Sequence, residues 1–270
     1  IDLTKAFDSV NRAALWRILG KFGCSEKFIS IVRLLNDGMS ARVLSSQAAG
    51  DPFEVHTGVK QGCVIAPTLF SIFISTIFHL IKDRLPEGIE IIYRTYGGLF
   101  NLRRLKARTK TRATSLIELQ YADDNCVCAT SESQLQCILD AFAHAYESLG
   151  LSINLHKTEV LYQPAPGQSP IPPSPNVSGS TLKNVPSFPY LGGVLPVKAD
   201  NDAEIVNRLR AASSAFGKLR ESEFESRGLS KDTKILVYEA VVPPSLLYGS
   251  ECWTTYRRHL KCLEKYHQRC

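Results

Sequence analysis

Two adjacent acids, Asp123 and Asp124, interrupt a strand-like run, Leu119-Gln120-Tyr121-Ala122 before them and Asn125-Cys126-Val127-Cys128 after. Carboxylates fixed at a tight turn cannot relieve their repulsion by moving apart, so a positive charge is expected beside them. Asp is also a favoured turn residue, and a solvated acidic turn needs no ligand. A third acid, Asp2, follows an apolar residue at the start of the chain and precedes an amphipathic segment. Hard oxygen ligands from separate strands, with no His or Cys beside them, suit Mg²⁺ better than Zn²⁺. Such sites serve phosphoryl transfer.

Further segments extend the pattern: Asp2-Leu3-Thr4-Lys5-Ala6-Phe7-Asp8, Gly58-Val59-Lys60-Gln61-Gly62-Cys63 followed by Pro67, Tyr121-Ala122-Asp123-Asp124, Leu151-Ser152-Ile153-Asn154 with Lys157-Thr158-Glu159, and Tyr190-Leu191-Gly192. In this order they resemble motifs A to E of the reverse transcriptases. The run Leu246-Leu247-Tyr248-Gly249-Ser250-Glu251-Cys252-Trp253 resembles the non-LTR, LINE-type retrotransposon enzymes rather than retroviral ones. Group II intron and telomerase-type enzymes share the motif order but not that run.

The resemblance implies an α+β fold: a palm built on a split β-α-β-type antiparallel sheet with helices, then a helical thumb, with the fingers largely missing. It implies RNA-directed DNA polymerisation, with an RNA template, a DNA primer and deoxynucleoside triphosphates as partners. Two Mg²⁺ ions, or Mn²⁺ in their place, would be held by Asp2, Asp123 and Asp124 about 3.5 to 4 Å apart. Asp124 is the less certain ligand, since strand neighbours point to opposite faces. Asp8, six residues beyond Asp2, reads better as a solvated or helix-end acid. Phe7 matches the steric gate against a nucleotide 2′-hydroxyl, or is simply a core aromatic. Gln61 and Gly62 match the nucleotide-contacting segment, or form a turn before a helix. Lys157 matches a proton donor to pyrophosphate, or is a surface lysine near a strand. Tyr190, Leu191 and Gly192 match the primer grip, which a hairpin with one buried aromatic would explain about as well. A rival reading from another class is a noncatalytic, nucleic-acid-binding remnant of a retroelement.

Charge is unevenly spread. Arg94, Arg103, Arg104, Lys106, Arg108, Lys110 and Arg112 fall between Tyr93 and Ile117 with no acid among them, while the whole chain carries a net charge of +6. Such a stretch suits a phosphate backbone, where neutralised phosphates release counterions; otherwise it is a solvated loop. Eight cysteines lack any Cys-x-x-Cys pair, which fits reduced thiols. His259, Cys262, His267 and Cys270 have a superficially zinc-like spacing, but four residues spread over three helical turns cannot converge on one ion.

The 270 residues, 44% of them hydrophobic, can bury a core and are expected to divide: palm with partial fingers over 1–163, proline-rich connection and primer-grip hairpin over 164–199, and thumb over 200–270. The apolar stretch from Val64 to Ile81 contains Pro67 and several hydroxyl residues and predicts a buried helix, not a membrane span. The first residue is Ile, which suggests a fragment of a larger reading frame. With no secretory segment read at the start of the chain, a soluble, intracellular protein is expected, and action in the nucleus is expected from the resemblance alone.

Periodicity predicts helices from Thr4 to about Gly20, Ser25 to Leu35, Pro67 to Leu85, Ser131 to Gly150, and from about Asp200 onward. It also predicts later helices over 230–242 and 254–268, broken by Pro243-Pro244. Strand patterns predict a hairpin over 41–57 turning at Gly50-Asp51-Pro52, a strand over 89–96, the acidic hairpin over 115–130, and a strand from Leu151 to Gln163.

Overall fold

The computed structural model describes residues 1–45, 48–94, 111–165, 171–198 and 200–270. It divides into two compact units, one of residues 1–159 and 173–183, the other of residues 160–172 and 184–270. The fold is a mixture of helices and short antiparallel ribbons.

In the first unit, α1 (Arg12–Lys21) begins where the Asn11 side chain accepts the Ala14 N–H at 2.9 Å. This is later than the predicted start at Thr4. Residues 4–9 form turns because Lys5 adopts φ +46°, a left-handed conformation that a helix cannot contain. Asp8 therefore lies in a turn, not on a helix. Helix α2 (Glu26–Asn36) is capped by Ser25. The hairpin of β1 (Ser40–Ala41) and β2 (Phe53–Glu54) is extended by a bridge between Leu44 and Ala49. Gly50-Asp51-Pro52 is instead in the returning arm, which has one residue more than its partner between the two pairings, as in a bulge.

Helix α3 (Ala66–Ile81) opens with Pro67 in its first turn and buries Leu69, Phe70, Phe73, Ile74, Ile77 and Ile81. It packs between α1 and α4 (Glu132–Ser148), whose Ile138, Phe142 and Tyr146 complete the core. The Ser131 hydroxyl caps α4, accepting the Gln134 N–H. Gln134 reaches back to Thr130 rather than to Ser131. At the other end Gly150, φ +78°, lets Gly150 and Leu151 donate to the carbonyls of Glu147 and Tyr146, the glycine-ended stop that the sequence predicts.

Strands β3 (Ile89–Arg94) and β4 (Thr111–Leu116) pair in register, Ile89 opposite Leu116. Next comes the hairpin of β5 (Glu118–Tyr121) and β6 (Asp124–Val127). Leu151 to Gln163 is not one strand: a bridge at Ile153 gives way to a turn in which Asn154 Oδ1 accepts the N–H groups of His156 and Lys157. An Asx side chain competing for backbone donors ends pairing there. The short strands β7 (Glu159–Val160) and β10 (Lys183–Asn184) mark two passages of the chain between units. Between them β8 (Asn176–Val177) and β9 (Ser180–Thr181) form a small ribbon beside α4, whose Gln136 bonds the Asn176 backbone at both its N–H and its carbonyl.

In the second unit a hairpin of β11 (Ser187–Tyr190) and β12 (Gly193–Pro196) precedes α5 (Asp202–Leu219), α6 (Lys231–Leu246) and α7 (Arg257–Arg269). Ile205, Ala212, Val242, Leu246 and Leu263 form its core. Helix α6 is not broken at Pro243-Pro244 but continues to Leu246. The two prolines lie in its last turns, the Pro243 carbonyl still accepts the Leu247 N–H at 2.8 Å, and burial of Val242 and Leu246 offsets the lost bonds.

Arg12 joins the parts of the first unit that present the loop after β2. Its guanidinium, in a residue only 8% exposed, donates to the carbonyls of Gly58 at 2.8 Å, Asn36 at 2.8 Å, Val55 at 3.0 Å and Thr57 at 3.2 Å. Replacement by Met keeps the stem and strands four carbonyls. Arg12→Met is expected to cost about 2–3 kcal/mol, measured by chemical denaturation; an unchanged midpoint would contradict the assignment.

Candidate active site

The site is assembled around the first four residues, which lie between two other segments. Ile1 and Asn125 exchange both backbone bonds, at 2.6 and 3.3 Å, which sets the chain start beside β6. On its other side Leu3 bridges Ile153, the Thr4 N–H donates to the Ser152 carbonyl at 2.8 Å, and the Asn154 N–H donates to the Asp2 carbonyl at 2.9 Å. Thr158, 2% exposed, accepts the Asp2 N–H on its hydroxyl at 3.1 Å. Every main-chain polar group of Asp2 is thus engaged, and its side chain has one fixed origin.

The acidic hairpin turns in two residues, with Tyr121 opposite Asp124. Ala122 takes φ +52°, a conformation usually left to glycine. Asp123 occupies the turn itself, so strand alternation does not separate it from Asp124. Asp124 feels both of the other acids electrostatically. Asp124 titrates above the ordinary aspartate range, because its carboxyl is partly shielded from water although the residue is exposed, and because the carboxylates of Asp123 and Asp2 repel its charge. Asp2 Oδ2 is buried and has no hydrogen-bond partner. Among the described residues no three His, Cys, Asp or Glu side chains are drawn into a single coordination geometry. An orphaned buried oxygen beside two further carboxylates nevertheless fits a hard divalent cation, the ligand type that such oxygens favour.

Under the hairpin lies a residue whose role the sequence did not disclose. Asn125, 3% exposed, points its Nδ2 at Gln120 Oε1 (2.8 Å), the Tyr146 hydroxyl (3.1 Å) and Glu118 Oε2 (3.2 Å). The amide ties the hairpin to α4 on the face opposite Asp124. Burial raises the Glu118 carboxyl above its ordinary range, the Asn125 bond only partly offsetting this, and burial also raises the Tyr146 hydroxyl.

The remaining candidates of this unit lie on neighbouring and separate segments of the chain. Phe7 is half-buried and stacks on Phe70, centroids 4.2 Å apart and planes at 17°. Its carbonyl accepts the Val59 N–H at 2.8 Å, and the Gly58 N–H donates to Val10 at 2.8 Å. A Cβ at Gly58 would sit 2.5 Å from the Asp8 carbonyl oxygen, so glycine is required for that approach. Gln61 and Gly62 follow, both exposed; Gly62 has φ +82° with open space around it. Lys157 is exposed on the Asn154 turn, two residues before β7. Arg112 is exposed on β4, whereas Arg103, Arg104, Lys106, Arg108 and Lys110 lie outside the described residues.

In the second unit Tyr190 ends β11 and Leu191 and Gly192 make the β11–β12 turn, with φ +49° at Leu191 and +82° at Gly192. Its carbonyls are held from behind. The Tyr248 hydroxyl donates to Leu191 at 3.0 Å, and Arg208 donates to Gly192. Arg208 pairs with Glu204 at 2.7 Å, both residues buried, while the other Glu204 oxygen accepts the Val194 N–H at 2.6 Å. The His259 ring lies 2.5 Å from Asp202 and the His267 ring 2.7 Å from the Tyr238 hydroxyl, which engages both histidines of the zinc-like spacing within the unit.

Residues 1–195 match the family described as reverse transcriptase (RNA-dependent DNA polymerase). The chain belongs to the reverse transcriptase family. It is 25% identical over 255 residues to the RNA-directed DNA polymerase from mobile element jockey of Drosophila funebris, covering 94% of this chain and 25% of that protein. A transposon-derived protein of Caenorhabditis elegans is 28% identical over 145 residues, 54% of this chain and 51% of its own length. The Pol polyprotein of the type-2 retrotransposable element R2DM of Drosophila melanogaster is 27% identical over 157 residues, 58% of this chain and 13% of that protein. This reverse transcriptase chain therefore spans between about an eighth and a half of these relatives' lengths. The motifs quoted above agree with the mobile-element names of the relatives.

Glu118 gives the site a pH signature. Its raised folded-state pKa means that its contribution to stability is fully present below the ordinary glutamate pKa, about 4.3, and is lost as pH rises through the raised value. Glu118→Gln keeps an acceptor for Asn125 and removes the titration. Melting curves across the acidic range are expected to show the unaltered chain losing stability relative to Glu118→Gln as pH rises towards neutral; parallel profiles would contradict this.

Proposed function

We propose that this chain is the RNA-directed DNA polymerase domain of a LINE-type retrotransposon, extending a DNA primer on an RNA template with deoxynucleoside triphosphates. The observations that support the reading are the charge repulsion that Asp123 and Asp2 exert on Asp124 and one Asp2 oxygen that is buried and unpartnered. In this reading the first unit is the palm with part of the fingers, and the second carries the primer-grip hairpin and the thumb.

Asp2, Asp123 and Asp124 would hold divalent magnesium, or manganese in its place. Bound there, the metal supplies Lewis-acid stabilisation of the charge that develops as the primer 3′ oxygen displaces pyrophosphate. The chain's own residues do the rest. Phe7, braced by Phe70, crowds the 2′ position and selects deoxynucleotides. Gln61 and Gly62 contact the incoming nucleotide, with the exposed Gly62 leaving its backbone approachable. Lys157 protonates the leaving pyrophosphate. Tyr190, Leu191 and Gly192 seat the primer end, and the basic residues from Arg103 to Arg112 hold the nucleic-acid backbone. No helix among the described residues is long and apolar enough to cross a membrane; the work of such a domain would be done in the nucleus.

A primer-extension assay on poly(rA)/oligo(dT) with Mg²⁺ tests the reading. The unaltered chain is expected to incorporate dTTP and Asp123→Ala to lose at least about a hundredfold of that rate, a loss typical when charge stabilisation is removed. Salt-sensitive RNA binding without incorporation by the unaltered chain would support a noncatalytic remnant.

A further inference from the structure

The run from Leu246 to Trp253 has no part in the roles above, yet its centre touches one of them. Two apolar residues anchor it within the second unit: Leu246 is buried in the core, and Trp253 packs against the same cluster. Between them Gly249, at φ +75°, turns the chain out of α6. Tyr248 is left 54% exposed, so it is not held there as a core aromatic. Its hydroxyl donates to the Leu191 carbonyl at 3.0 Å, 57 residues back along the chain. Its ring lies against Gly192, where a Cβ would come 3.3 Å from the ring edge. The Arg208 guanidinium lies over the same ring, 5.1 Å from its centroid, and donates to the Gly192 carbonyl while Glu204 pairs with it at 2.7 Å.

The β11–β12 turn has no such support from its own sequence. Positive φ at both central residues of a two-residue hairpin suits Asn-Gly, but here the first is Leu191 at +49°. A bulky side chain adopts that conformation only where its surroundings impose it. Leu191 is itself 39% exposed, so its own burial does not supply the constraint. The bonds to the two turn carbonyls do.

We propose that Tyr248, with Arg208 behind it, is a positioning residue for polymerisation: its hydroxyl holds the Leu191–Gly192 turn in the geometry that seats the primer 3′ end. The role rests on the polymerase reading, in which Tyr190, Leu191 and Gly192 form that seat. Tyr248 acts through the turn, so it governs where the primer end sits and not how tightly the duplex is held. It also gives a purpose to the run after α6 that the motifs alone leave unassigned.

The test is single-turnover extension by the whole 270-residue chain on poly(rA)/oligo(dT) with Mg²⁺, using Tyr248→Phe, which keeps the ring and removes the hydroxyl. Amplitudes give the active fraction, so that rates are compared per active chain whatever the variant's stability. The rate on a matched primer should fall about tenfold, as a small misplacement of a reacting end can cause, while duplex Kd by anisotropy stays within about twofold. A primer whose 3′-terminal dT is replaced by dC has an end already displaced and less to lose, so the ratio of matched to mismatched extension should fall as well. Tyr238→Phe is the control: it removes another tyrosine hydroxyl bond of the same unit, that to His267 at 2.7 Å, and should leave rate and ratio unchanged. A Tyr248→Phe rate within about twofold of the unaltered chain, a loss shared equally by both primers, or an equal loss in Tyr238→Phe would overturn the inference alone. No extension by the unaltered chain would overturn it together with the polymerase reading.

Discussion

The structure depends on one placement, the seating of residues 1–4 between the β6 strand and the 152–154 segment. Ile1 exchanges bonds with Asn125 on one side, and Leu3 and Thr4 pair with Ile153 and Ser152 on the other. These bonds set Asp2 where its carboxylate, like that of the neighbouring Asp123, repels the charge of Asp124. The cost is visible in Asp124, whose ionised form is disfavoured, and in the solitary Asp2 oxygen. A cation would relieve both, so the fold stores at this point the electrostatic demand that the proposed chemistry meets.

A common device holds loops in each unit. Long side chains reach backbone carbonyls that turns would otherwise leave unbonded. Arg12 does so for the loop following β2, and Arg208 with Tyr248 does so for the β11–β12 turn. Both arginines are almost fully buried, where an unpaired charge would be expensive. Arg208 is neutralised by Glu204, whereas Arg12 relies on several carbonyl dipoles. Irregular backbone that carries candidate site residues is thereby held without belonging to a regular element, and glycine at 58 allows the loop to approach the Asp8 backbone closely.

Much of this was legible in the chain. The α3 stripe, the helix start at Ser131, the Gly150 stop and the tight hairpin turn beside the acidic pair are local signals, and the structure follows them. The misreadings have local causes that only folding reveals. Apolar spacing from Phe7 to Leu19 looked helical throughout, yet Lys5 is left-handed and the carbonyls of Phe7, Asp8 and Val10 are taken by the 57–59 segment. Asn154 ended a strand through its side chain, and two prolines were tolerated in α6 because their neighbours are buried. Asn125 and Arg12 gave no signal at all. Their side-chain partners lie up to 21 and 46 residues away along the chain, and residue type alone does not announce such bonds. The motifs' order, by contrast, survived intact and the family match bears it out.

The most direct measurement is divalent-cation binding itself, by titration calorimetry with Mn²⁺ on the unaltered chain and on Asp2→Asn. The account predicts saturable binding that Asp2→Asn weakens at least about tenfold, corresponding to about 1.4 kcal/mol, because Asp2 would supply a ligand that the hairpin cannot replace. Binding of equal strength in the variant, or none in a folded unaltered chain, would contradict it.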